Sequence, residues 1–263
     1  MKVQDRVIVV TGGGNGIGRE LVLHLLSRGA SVAAVDRDEA GLKATADLAV
    51  SPRLSTHVVN LIDRAAVEAL PAAVIAKHGA VDGIINNAGI IQPFVRLNEL
   101  GYDAIDRVFD VNWRGTLHMT KAFLPHLLAR PVAHIANISS MGGFLPVPGQ
   151  TVYGASKAAV KLFTEGLRSE LRDTKVGVTV VFPGAVGTNI AQNSGLPAPK
   201  EGAANGFTFL APAEAARQIV AGIEAGRYRV LVGKDAWAMD LLVRVAPGFA
   251  ADFIYRQMKG LLG

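Results

Sequence analysis

The sequence predicts a doubly wound α/β fold, a parallel sheet of about seven strands covered by helices on both faces. Short β-rich runs alternate with longer segments of helical period, and strand, helix, strand repeated in this way implies right-handed crossovers and parallel pairing. The runs are apolar almost throughout, as strands buried on both faces are. No Ser/Pro/Gly linker, charge block or fixed-period repeat interrupts the 263 residues, so one domain over 1–263 is expected.

The elements follow in order. VIVVT from Val7 leads through a glycine-rich turn into a helical segment over 16–28, and SVAAV from Ser31 ends at Asp36. HVVN near His57 precedes a helical segment over 64–78, with Asp63 placed as its N-cap. VDGIIN near Val81 is followed by one long helical pattern over 102–129. AHIANIS near Ala133, a helix over 153–172, VGVTVVF near Val176, a helix over 212–225 and YRVLVG near Tyr228 complete the series. Sheets of this kind bind ligands beyond the carboxyl ends of their strands, so residues just after strands are the candidates for function.

Composition narrows the class. Hydrophobic residues make up 50% of the chain, enough for a large core, and the absence of cysteine excludes disulfides, thiol catalysis and cysteine-ligated metal. The six histidines lack metal-like spacing and read as structural, so no metal is expected. A net charge of +5 is scattered without a Lys/Arg cluster, which argues against nucleic acid. The opening MKVQDR lacks a leader pattern and no stretch approaches the ~18 apolar residues of a span, so no membrane span and a cytoplasmic location are expected.

After the first strand stands Thr11-Gly12-Gly13-Gly14-Asn15-Gly16-Ile17-Gly18, opening a helix. Glycines let backbone turn sharply and approach a pyrophosphate, and the helix N-terminus offers free N–H groups and positive potential. Asp36, ending the second strand, suits the adenine ribose hydroxyls and favours NAD, whereas the neighbouring Arg37 leaves NADP open. In TVYGASK, Tyr153 and Lys157 lie four residues apart and share one helix face. A free phenol, with pKa ~10, is a poor proton donor or acceptor near neutrality. A cation ~4 Å away at an effective dielectric of ~20 contributes ~4 kcal/mol, about three pKa units, so one lysine is about sufficient to correct this.

With TGGGNGIG, NNAG at 86–89, VNWRG at 111–115, NISS at 137–140, YGASK and FPG at 182–184, the sequence resembles the short-chain dehydrogenase/reductase family. Ser140 lies 13 residues before Tyr153, the spacing of the family signature. The resemblance implies a Rossmann-type fold, an NAD or NADP cofactor, and dimers or tetramers built on the 102–129 and 153–172 helices. It implies Tyr153 as general acid or base, Lys157 on the nicotinamide ribose and lowering the phenol's pKa, Ser140 on the substrate oxygen, and Asn112 holding a relay water. Gly12, Gly16 and Gly18, with Asn15 and Ile17 between them, would lie along the pyrophosphate. The Asn87, Ala88 and Gly89 backbone would lie near the adenosine side, and Pro183, Gly184, Val186 and Thr188 near the nicotinamide. One position departs: Asn60 before Leu61 stands where many members carry Asp for the adenine amino group, and its amide oxygen can still accept.

The flanking segments 90–96, 141–150 and 189–211 are mostly apolar or small, with Arg96, Lys200 and Glu201 as their charges. A carboxylate or phosphate substrate needs a fixed cation pair, and none is evident, so a lipophilic secondary alcohol or ketone is expected. The 189–211 segment is long enough for a lid. The amphipathic 236–263 segment has three placements open to it, over the pocket, on a partner subunit or on a membrane surface, and the first two are expected, since only Arg244, Arg256 and Lys259 could face lipid head groups. The alternative is a non-catalytic dinucleotide sensor or scaffold on the same fold, which has no use for an intact Ser140, Tyr153, Lys157 and Asn112.

Overall fold

Alternation of buried strand and amphipathic helix is realised as expected. A computed structural model of the chain describes residues 1–196 and 209–262. Among them, β1 (Val7–Thr11), β2 (Ser31–Asp36), β3 (Leu54–Val58), β4 (Gly83–Asn86), β5 (Ala133–Ile138), β6 (Val176–Pro183) and β7 (Arg229–Val232) form one parallel sheet in the order β3-β2-β1-β4-β5-β6-β7. Strands β1, β4 and β5 are buried at every position, which is why they read as unbroken apolar runs.

Two hydrophobic layers hold the helices. On one face α1 (Gly16–Ser27) and α8 (Pro212–Glu224) pack Leu21, Leu25, Ile219 and Ile223 against Ile8, Val10 and Val230. On the other, α3 (Arg64–His78), α5 (Gly115–Leu128) and α6 (Thr151–Glu170) pack Val74, Met119, Phe123 and Leu167 against Val9, Ile84 and Ile135. Asp63 caps α3 as expected, its side chain accepting from Ala66 N. The strand order reverses between β1 and β4, the position at which such sheets open a ligand crevice.

Three elements differ from the sequence reading. The third strand begins at Leu54, ahead of HVVN, because Val32 to Asp36 pair with Leu54 to Val58. Helix α2 (Glu39–Ala49) follows Asp36 directly, and its weak apolar face gave little period to detect. The 102–129 pattern is not one regular helix: α4 (Tyr102–Phe109) passes into a π-helical turn at Asp110–Arg114 before α5. That turn carries Asn112, and wide turns inside helices recur at functional positions.

At the opposite edge of the sheet, Asp82 is buried and accepts from Val7 N at 3.0 Å and Arg130 Nε at 2.8 Å. Asp82→Ala strands that N–H and removes the acceptor of a partly exposed guanidinium. We expect a loss of about 2–3 kcal/mol, read as a lower denaturant midpoint at unchanged slope.

Candidate active site

The carboxyl ends of the central strands open into a cleft of about 590 Å³ that runs from Asp36 to Tyr153. Its first wall is the turn after β1. Gly12 (φ +71°) and Gly16 (φ +50°) hold left-handed conformations, and a Cβ on Gly12 would stand 2.8 Å from Asn87 Nδ2. Gly12, Asn15, Gly16 and Ile17 line the cleft. Gly18 does not: it is buried beneath the turn, where any Cβ would collide with the Gly12 carbonyl. It therefore serves close packing of helix on turn.

Asp36 is fixed by its own loop. Its Oδ2 accepts from Gly14 N at 3.0 Å and its Oδ1 from Asp38 N at 3.1 Å, so the carboxylate is tied to the glycine turn across the cleft mouth. Arg37 is exposed and donates from Nη2 to the Asn193 carbonyl at 3.4 Å. Asn60 lies on the exposed rim with Leu61 buried behind it, and both line the cleft. Asn87 N and Ala88 N both donate to Thr11 Oγ1 at 3.0 Å, which fastens the Asn-Ala-Gly turn to the end of β1. A Cβ on Gly89 would stand 3.0 Å from Lys157 Nζ, so glycine there makes room for the lysine head.

The other end gathers the reactive side chains. Ser140, just after β5, accepts from Gly142 N at 3.1 Å through Oγ, which leaves its own hydrogen free to donate. Tyr153 stands in the first turn of α6, half-buried, with the Ser140 side chain as its polar neighbour. Lys157, one turn on, is buried, and its Nζ donates to the Ile138 carbonyl at 3.0 Å. Burial alone lowers its pKa to about 8.

The phenol departs from the sequence argument. Burial raises the Tyr153 pKa, and only the Ser140 side chain opposes that rise. Asn112 is held on three sides. Its buried amide donates to Ile90 O (2.9 Å) and Ser156 Oγ (3.0 Å) and accepts from Ile90 N (2.8 Å). Both N–H groups are taken, so the side chain ties the loop after β4 to α6.

The third wall follows β6. Pro183, Gly184, Val186 and Thr188 line the cleft, and Asp235 Oδ2 accepts from Ala185 N at 2.7 Å to hold the turn. Val186 bridges to Leu210, closing the base of the 189–211 segment, of which 197–208 lie outside the described residues, Lys200 and Glu201 with them. Its first part, α7 (Ile190–Asn193), lies at the mouth: Asn15 Nδ2 donates to Asn193 Oδ1 at 3.4 Å, and Ile91 N to Ser194 Oγ at 3.0 Å. Arg96 is exposed, away from the cleft lining.

Sequence reasoning missed Gln92. It is buried, and its Oε1 accepts from both Val152 N (2.8 Å) and Tyr153 N (2.9 Å), while its Nε2 donates to Gly149 O at 3.0 Å. Helix α6 has no cap from its own N-cap residue, Gln150, so Gln92 satisfies N–H groups that would otherwise be orphaned. The available signal was a lone amide in the apolar run IIQPFV.

A glycine cradle at a helix N-terminus, a fixed carboxylate after the second strand and a Ser, Tyr, Lys group at the far end make a donor set that fits a nicotinamide dinucleotide. Fold and site together define an oxidoreductase of the Rossmann type. The chain belongs to the short-chain dehydrogenase family, whose model matches residues 6–197. It is 39% identical over 253 residues to SadH of Mycobacterium tuberculosis, an oxidoreductase by name, covering 92% of this chain and 91% of that one. Among solved structures, a short-chain dehydrogenase/reductase from Burkholderia phymatum in complex with NAD is 28% identical with a TM-score of 0.85, covering 93% and 94% of the two chains. A short-chain dehydrogenase from Burkholderia cenocepacia in complex with NADP is 27% identical with a TM-score of 0.80, covering 98% and 99%.

Two predictions follow from this geometry. Gln92→Leu removes the cap from the turn bearing Tyr153 and is expected to lower kcat about tenfold and stability by about 1–2 kcal/mol, with Gln92→Glu restoring most of the rate; steady-state kinetics and denaturation measure both. Lys157 is protonated below its lowered pKa and neutral above it, so its ¹⁵Nζ resonance in the ligand-free chain should titrate near pH 8, where ordinary lysines stay charged.

Proposed function

We propose that the chain is an NAD(P)-dependent alcohol dehydrogenase or ketone reductase acting on a lipophilic secondary alcohol and its ketone. The observation that carries this reading is the meeting of Ser140, Tyr153 and Lys157 at one end of a cleft whose other end is closed by Asp36. When bound, a nicotinamide dinucleotide supplies or takes up hydride. Everything else is asked of the protein. Ser140 Oγ, its lone pair already engaged by Gly142 N, donates to the substrate oxygen, where negative charge develops. Tyr153 Oη gives its proton to that oxygen in reduction and takes it back in oxidation. A phenol is protonated at neutrality and so has a proton to give. Lys157 presents its head beside Gly89 for the ribose next to the reacting ring.

Asp36 supports NAD as the preferred cofactor. Two backbone N–H groups hold the carboxylate in place, and a 2′-phosphate brought beside it would meet like charge. Arg37 would have to leave Asn193 to compensate. A lipophilic substrate is supported by the segment after Ser140, where Met141, Phe144, Leu145 and Val147 form an apolar cluster with C-terminal residues. A homo-oligomer through α4 to α6 is supported by exposed Tyr102 (82%) and Leu162 (69%) on those helices.

Tyr153→Phe keeps the ring and removes the proton. It is expected to lower kcat about 10³-fold while leaving the dinucleotide Kd within about twofold. Turnover that survives this change would reject the assigned acid.

A further inference from the structure

The C-terminal helices α9 (Lys234–Val245) and α10 (Pro247–Met258) have two unlike faces. The inner one buries Ala250 and Ile254 and packs Met239, Leu242, Val243 and Met258 on Leu145 and its neighbours, so it covers the segment that follows Ser140. The outer one is left uncovered. Trp237, Leu241 and Val245 recur at helical spacing on α9, 62%, 50% and 76% exposed. On α10, Phe249 and Phe253 stack with ring centroids 6.4 Å apart, and both are exposed.

We propose that this outer face docks on an anionic lipid surface. Its charge supports that partner. Lys234, Arg256 and Lys259 are exposed with Asp252 as the exposed acid, because Asp235 is turned to Ala185 N and Asp240 is paired with Arg229 and Arg244. An apolar stripe with tryptophan and phenylalanine, flanked by cations, is the composition that settles in the headgroup region of a bilayer. A second copy of the chain fits less well, since a two-fold contact would set the same cations against each other. No described helix is long and apolar enough to cross a membrane, so the contact is one of surface docking. It would bring the segment that follows Ser140 within one helix layer of the lipid.

Vesicle flotation of the full chain tests this without reference to its activity. The chain should float with equimolar phosphatidylcholine and phosphatidylglycerol vesicles, float poorly with phosphatidylcholine alone, and be released by salt. Phe249→Ser should weaken the association about tenfold, and Arg256→Glu with Lys259→Glu should remove the preference for anionic lipid. The chain has two tryptophans, so in a Trp113→Phe variant the emission of Trp237 should shift to the blue on vesicles and be quenched by brominated acyl chains. A folded chain that floats with neither vesicle overturns the proposal, and so does flotation with Trp237 emission unchanged. Self-association lost in Phe249→Ser without any vesicle binding would assign the face to a second copy instead.

Discussion

The first turn of α6 depends on a bond made from 60 residues away. Gln92 Oε1 holds the N–H groups of Val152 and Tyr153, and the helix's own N-cap offers them nothing. A phenol in an uncapped first turn would share in the fraying of that turn. Capped, it stands in fixed relation to the loop after β4. Asn112 makes a second tie between the same two regions through Ile90 and Ser156. The positions of Tyr153 and Lys157 relative to Ser140 are thus set by two buried amides that need not touch a ligand.

A parallel economy governs the other end of the cleft. Asp36 is held by the amides of Gly14 and Asp38, so the carboxylate is oriented before any ligand arrives. Thr11 Oγ1 accepts from two successive amides, those of Asn87 and Ala88, and aligns β1 with the turn after β4 at the point where the strand order reverses. Burial has an electrostatic consequence: it raises the phenol and lowers the lysine, moving both groups toward their neutral forms.

Much of this was legible in the sequence. Strands buried on both faces leave continuous apolar runs, and glycines forced by positive φ or by backbone contact leave a fixed pattern, as at Gly12 and Gly16. The spacing of Tyr153 and Lys157 is a helical fact, and so it survives into three dimensions. What was not legible depends on partners far apart in the chain. That Gln92 caps α6, that Asn112 lies in a wide turn with both N–H groups engaged, and that desolvation raises the Tyr153 phenol are all properties of burial. Period carries no sign of them. Gly18 shows the same limit in another form, for a motif glycine can serve packing or ligand contact and spacing cannot separate the two.

The most direct test is a steady-state assay at the nicotinamide absorbance band, with NADH and NADPH in parallel against small, cyclic and bulky aromatic ketones. The account predicts turnover of uncharged bulky ketones, faster with NADH than with NADPH, as the proposed role of Asp36 at the adenine ribose requires. Dinucleotide binding with no change in absorbance for any ketone, or for the corresponding alcohols with the oxidised cofactors, would contradict it.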